Sequence, residues 1–194
     1  MKKIVLILVG GLLLGACGSE ANDAADGSTE SSTETQTNAS GDIVKDQIVG
    51  LIADVEKGMK PLSPIADVSN YDSSVEPYLV GENETGNYNS KWEDGDFKGS
   101  RFYSTKYNDD TQLGEVRMQI LVIDDVRWDP ETDEEDASKA IDYDKYKDVI
   151  TEQVGAQPEV DEYSDGHVWK TATANWYLST YDDYSLEFKM KEAK

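Results

Sequence analysis

Apolar positions change their rhythm several times along this chain. Ile4 to Ala16 is an unbroken run of thirteen apolar and small residues behind Met1, Lys2 and Lys3. Gly18 to Asp42 then contains no Val, Ile, Leu, aromatic, Lys or Arg. From Ile43 a period near 3.6 begins: Ile43, Val44, Ile48, Leu51, Ile52 and Val55 share one face, which predicts a helix. Asp42 stands at its N-cap and Gly58 at its stop. Residues 59–77 hold three prolines and are expected to be irregular, and Gly81 to Ser90 reads as a polar loop. Phe97 to Tyr107 and Glu115 to Val126 read as strands, the second central because it contains the most apolar run after residue 17. Asp129 to Asp136 reads as an acidic loop. Ala137 to Val154 returns to helical spacing and Gly155 ends it. Three short strands are expected after Pro158, with turns at Asp165-Gly166 and at Tyr181 to Tyr184. In the last of them Leu186, Phe188 and Met190 alternate with Glu187, Lys189 and Lys191, so one face is buried and the other wet. The expectation is one α+β domain over residues 43–194, an antiparallel sheet with helices packed on one face.

The N-terminal run is too short to cross a bilayer, which takes about 20 apolar residues. Its basic start and length fit a secretory leader. It ends Leu14-Gly15-Ala16-Cys17, and this tetrad resembles the lipobox of bacterial lipoproteins. The resemblance implies a signal peptide over residues 1–16, cleavage between Ala16 and Cys17, and a lipid anchor on Cys17. Two acyl chains suffice for stable anchoring. Residues 17–42 then form a lipidated Cys and an acidic Ser/Thr-rich tether, which cannot bury enough apolar surface to offset its ordering entropy. Localisation follows as the extracytoplasmic face of a cell membrane, in a Gram-positive host.

Composition narrows the chemistry. Eighteen Lys and Arg face 40 Asp and Glu, a net charge of −22. Loss of Lys2 and Lys3 with the leader would make it −24. Such a chain is repelled by anionic lipid, so the lipid would be the anchor, and it lacks the basic clusters that contact phosphates. No nucleic-acid partner is expected. One Cys and one His exclude a disulfide framework and a His/Cys zinc site. His167 follows a turn glycine and reads as a satisfied surface residue. No phosphate-binding glycine motif and no nucleophile elbow is present, so no catalytic residue, metal ligand or cofactor is assigned. Three acidic clusters, Glu93 to Asp96, Asp129 to Asp136 and Asp142/Asp144/Asp148, lack the ligand order of an EF-hand.

Eleven Tyr and four Trp are the remaining handle, since both join an apolar body to a polar tip. On a strand from Trp176 to Tyr181, Trp176, Leu178 and Thr180 share one face and Tyr177, Ser179 and Tyr181 the other. Tyr177 and Tyr181 are the candidate interaction surface. From Tyr143 through Gly155 and Pro158 to Trp169-Lys170 the chain resembles a unit of the β-lactamase-inhibitor-protein-like lipoproteins. That unit is a helix, a Gly/Pro turn and antiparallel strands. The likeness implies a binding module, not an enzyme; the first half does not repeat it cleanly. The expected function is a non-catalytic cell-surface module that binds a protein or envelope partner. The alternative is a lipoprotein that captures a cation or small solute through its acidic loops.

Overall fold

A computed structural model describes residues 42–77 and 87–193. Ala16, Cys17, the leader and residues 18–41 lie outside the described residues. The described residues belong to a single compact unit.

Helix α1 spans Ile43–Lys57 because its apolar stripe recurs at helical spacing and its ends are signalled. Asp42 accepts the Lys45 amide at 3.1 Å, and Val44, Ile48, Leu51, Ile52 and Val55 are buried. The proline-rich stretch contains a 3-10 helix, Ile65–Asn70, whose Ile65 and Val68 join the core. Strands β1 (Glu76–Pro77), β2 (Tyr88–Asp94), β3 (Phe97–Lys106) and β4 (Asp109–Val122) follow. Tyr88 to Ser90, expected in a loop, therefore opens a strand, and their side chains pair in register with Tyr103, Phe102 and Arg101 of β3. A short turn of helix, α2 (Asp124–Arg127), leads into a small hairpin, β5 (Trp128–Asp129) and β6 (Glu134–Glu135), where a loop was expected.

The second long helix, α3, is Tyr143–Val154, not the whole span from Ala137. Asp136 and Asp142 each cap a separate start, by accepting the Ser138 and Lys145 amides. A 3-10 turn, Ala137–Lys139, follows the first start, and the chain leaves the helical conformation at Ala140 before Asp142 begins α3. Gly155 ends α3 in the left-handed region (φ 68°), where a side chain would be strained. Four strands follow, not three: β7 (Glu159–Asp161), β8 (Gly166–Lys170), β9 (Ala174–Ser179) and β10 (Ser185–Glu192).

Eight strands form one antiparallel sheet in the order β1-β2-β3-β4-β10-β9-β8-β7. Each half of the chain is thus a helix followed by a four-strand meander, and the meanders meet at β4 and β10. The first half differs from the second by the 3-10 helix and the long connection between α1 and β1, in the stretch expected to be irregular. Both long helices pack on one face, over Val116, Met118, Ile120, Trp169, Leu178, Leu186, Phe188 and Met190. Trp176 stacks on Phe188 at 5.3 Å between ring centres. Both sheet edges are short and one carries Pro77, which limits edge-to-edge pairing. Among the described residues no helix is long and apolar enough to cross a membrane.

Candidate functional site

The side of the sheet away from the helices is the candidate site. Strand alternation decides which residues reach it. Buried Met118 and Phe188 fix the inner face, so Glu115, Arg117, Gln119 and Leu121 of β4 point outward, with Glu187, Lys189 and Lys191 of β10. The same parity puts Tyr177 on the outer face of β9 and Val168 and Lys170 on that of β8. Outward residues of β2 and β3 include Lys91, Glu93, Lys98, Ser100 and Phe102.

Register produces a single row across all eight strands: Glu76, Asn89, Phe102, Arg117, Lys189, Tyr177, Val168 and Glu159 are successive cross-strand partners. From its centre outward the row reads cation, aromatic, a spacer and acid in both directions. Two depressions flank the centre. One, about 460 Å³, is lined by Lys91, Lys98, Gln119 and Leu121 among others. The second, about 590 Å³, is lined by Val168, Lys170, Asn175 and Tyr177 among others.

Charge separates this face from the rest of the molecule. In the regular register it carries six cations (Lys91, Lys98, Arg117, Lys170, Lys189, Lys191) and six acids (Glu76, Glu93, Glu115, Glu159, Asp161, Glu187). The other described residues hold nine cations and 27 acids. Three acids of the face are ion-paired: Glu159 with Lys170, Glu187 with Lys189, and Glu115 with Lys191 at 2.8 Å and Arg117 at 3.2 Å. Desolvation pushes the Glu115 carboxyl up, but those two cations more than offset it and hold it below the ordinary range. Glu187, on the side expected to be wet, is only 1% exposed. Lys189 pairs with it at 2.6 Å and Tyr181 donates its hydroxyl to it at 3.2 Å.

Of the predicted site residues, Tyr177 is half-buried in the middle of the face. Tyr181 lies beyond the end of β9, in the turn, and is 74% exposed. Its bond to Glu187 brings it to the rim of the same face. Arg117, Lys189 and Phe102 were not singled out from sequence. The alternation of β4 and β10 marks two of them as outward, but their opposition depends on pairing between strands about seventy residues apart.

The expected surface histidine is elsewhere. His167 is half-buried on the helix side, with Nδ1 2.9 Å from the Tyr143 hydroxyl. That hydroxyl donates to the Leu178 carbonyl at 3.0 Å, so His167 Nδ1 is the donor to it. Burial first, and the Asp144 charge second, push the Tyr143 phenol up to about 12. Within the acidic clusters Asp96 pairs with Lys139, Glu135 with Arg127 and Asp144 with Lys147, and Asp142 caps α3. Among the described residues no three His, Cys, Asp or Glu side chains converge to hold a metal ion.

Compared with protein-family models, curated proteins and solved structures, the chain matches none.

Proposed function

We propose that this chain is a lipid-anchored, extracytoplasmic binding module that docks a protein partner on the helix-free face of its sheet. The observation that carries the reading is the contrast between that charge-balanced, aromatic-bearing face and the strongly acidic remainder. Long-range repulsion disfavours approach of another acidic surface everywhere else on the molecule. Tyr177 and Tyr181 supply large contact area at low conformational cost, as aromatic anchors do in interfaces. The tetrad ending in Cys17 supports the anchor, and the acidic tract after it supports a spacer between lipid and domain. The likeness of residues 143–170 to β-lactamase-inhibitor-protein-like domains points the same way, toward binding without catalysis.

Two measurements test this. Cells fed an alkyne-tagged palmitate should label the protein, and Cys17→Ser should abolish the label; a label that survives contradicts the anchor. Thermal melts then weigh the docking reading against capture of a cation or small solute by the acidic loops. A ligand at one hundred times its Kd stabilises by about 2.7 kcal/mol. No Tm rise is expected with Ca²⁺, wall glycan fragments or small metabolites, and a saturable rise with one of them would favour the capture reading.

A further inference from the structure

Strand parity puts Asn175 on the outer face of β9, two residues before Tyr177, and both line the second depression. Asn175 is only 8% exposed, yet its side-chain amide has no hydrogen-bond partner among the described residues. An amide buried to this depth is normally paired, because desolvation without a partner destabilises the fold. The cross-strand neighbours on either side are lysines, and both are held by acids: Lys170 of β8 by Glu159 at 2.5 Å and Lys191 of β10 by Glu115 at 2.8 Å. A leucine would fill the same position with no polar group to satisfy. A local rule broken without a structural gain is characteristic of a site kept for a ligand. We infer that Asn175 is a specificity-determining residue of the docking face: its amide takes one backbone peptide group of a protein partner, whose adjoining apolar side chain lies against Tyr177.

The inference rests on the docking reading above and names what the partner offers at this point. An Asn side chain carries an acceptor and two donors in one plane. A carboxylate only accepts and an ammonium only donates, so either would leave half of the Asn175 amide unpaired. A peptide group donates and accepts, and satisfies both halves. The charges around the depression do not call for an ion either. Glu159 and Lys170 pair with each other, and Asp161 serves its own turn, accepting the Tyr163 amide at 3.2 Å and the Ser164 hydroxyl at 2.7 Å. Of the lining acids that leaves Glu162, which is exposed, and a lone exposed acid adds little to the binding of a cation. The volume of about 590 Å³ falls within the roughly 300–1,000 Å³ of ligand pockets. Tyr177, half-buried beside the amide, is an aromatic of the kind that interfaces concentrate.

The test is an NMR titration of the lipid-free Cys17→Ser chain. The probes are an uncharged tripeptide, N-acetyl-alanyl-leucyl-alanine N-methylamide, and two ligands of other chemistry, N-acetylglucosamine and butylammonium. The tripeptide should shift the Asn175 side-chain amide and the Tyr177 backbone amide saturably, with the other two at least tenfold weaker. Asn175→Leu should keep a Tm at or above that of wild type while weakening the tripeptide at least tenfold, and Asn175→Ala should weaken it as much. Lys60→Gln, away from the sheet, should leave binding unchanged. Unchanged tripeptide binding in both Asn175 variants would overturn the inference and leave the docking reading intact. A Tm several degrees lower in both would assign the amide to the fold and also overturn it. Tighter N-acetylglucosamine would make the occupant a glycan, and tighter butylammonium would make it a cation; either overturns the assignment to a peptide group. Shifts confined to other surfaces, or none, overturn the inference without touching the docking reading, which cross-linking judges separately.

Discussion

Asp72 shows how single residues hold the inner face. Its Oδ2 accepts the Ser90 hydroxyl at 2.5 Å and the Tyr103 hydroxyl at 2.8 Å, and its Oδ1 accepts the Ser74 amide at 3.0 Å. Desolvation pushes this carboxyl up, but the donors outweigh it and hold it below its ordinary value. A depressed carboxylate stabilises the fold above its unfolded pKa, and that contribution is lost as pH falls through the folded pKa. Asp72→Asn should therefore cost about 1–3 kcal/mol at pH 7. Urea melts should show the gap to wild type closing below the ordinary carboxylate range; a gap independent of pH would contradict this account. On the outer face Arg117 and Lys189 should behave differently from each other. Glu115 keeps Lys191 when Arg117 is replaced. Arg117→Gln should then stay within about 0.5 kcal/mol of wild type. Lys189→Gln strips the ion partner from buried Glu187 and should cost about 1–3 kcal/mol more. Equal Tm values for the two variants would count against the burial argument.

At the scale of elements, helix α1 and the stop of α3 were legible because they are local. The signals are a 3.6 period, Asp42 before the first helix and Gly155 after the second. The extra strands were not, because β1 and β7 are only two and three residues long and take their pairing from neighbours. The split of the second helix was hidden by Ala140 and Ile141, which continue an apolar rhythm through an extended stretch. The Tyr177 face was legible from alternation with Trp176 and Leu178, whereas the Arg117–Lys189 opposition was not, since register between distant strands leaves no local mark. Tertiary contact also changes what the caps do. Asp42 caps α1 and also accepts the Tyr146 hydroxyl at 3.0 Å and pairs with Lys145 at 2.5 Å, so it ties α1 to α3. Asp42→Ala should cost at least the ~1 kcal/mol of a lost cap. In a double-mutant cycle with Tyr146→Phe the two losses should be less than additive; strict additivity would mean the tie contributes nothing.

For the whole molecule, net charge and the balanced face act together. With −22 charges the folded state repels itself, and salt screens that repulsion. The Tm should rise between 0.05 and 0.5 M NaCl, by about 2–4 °C for each kcal/mol gained in a domain of this size. A fall would mean that the surface ion pairs outweigh the excess of acids. The same field would slow an acidic partner at long range and spare only the helix-free face, so association should quicken with salt. Site-specific photo-cross-linking in the native cell tests the docking face most directly. A benzoylphenylalanine at Tyr177 or Gln119 on that face is compared with one at exposed Glu56 or Glu152 on the helices. The account predicts a discrete protein adduct from the two sheet positions and none from the helix positions. Adducts from the helices alone would contradict it.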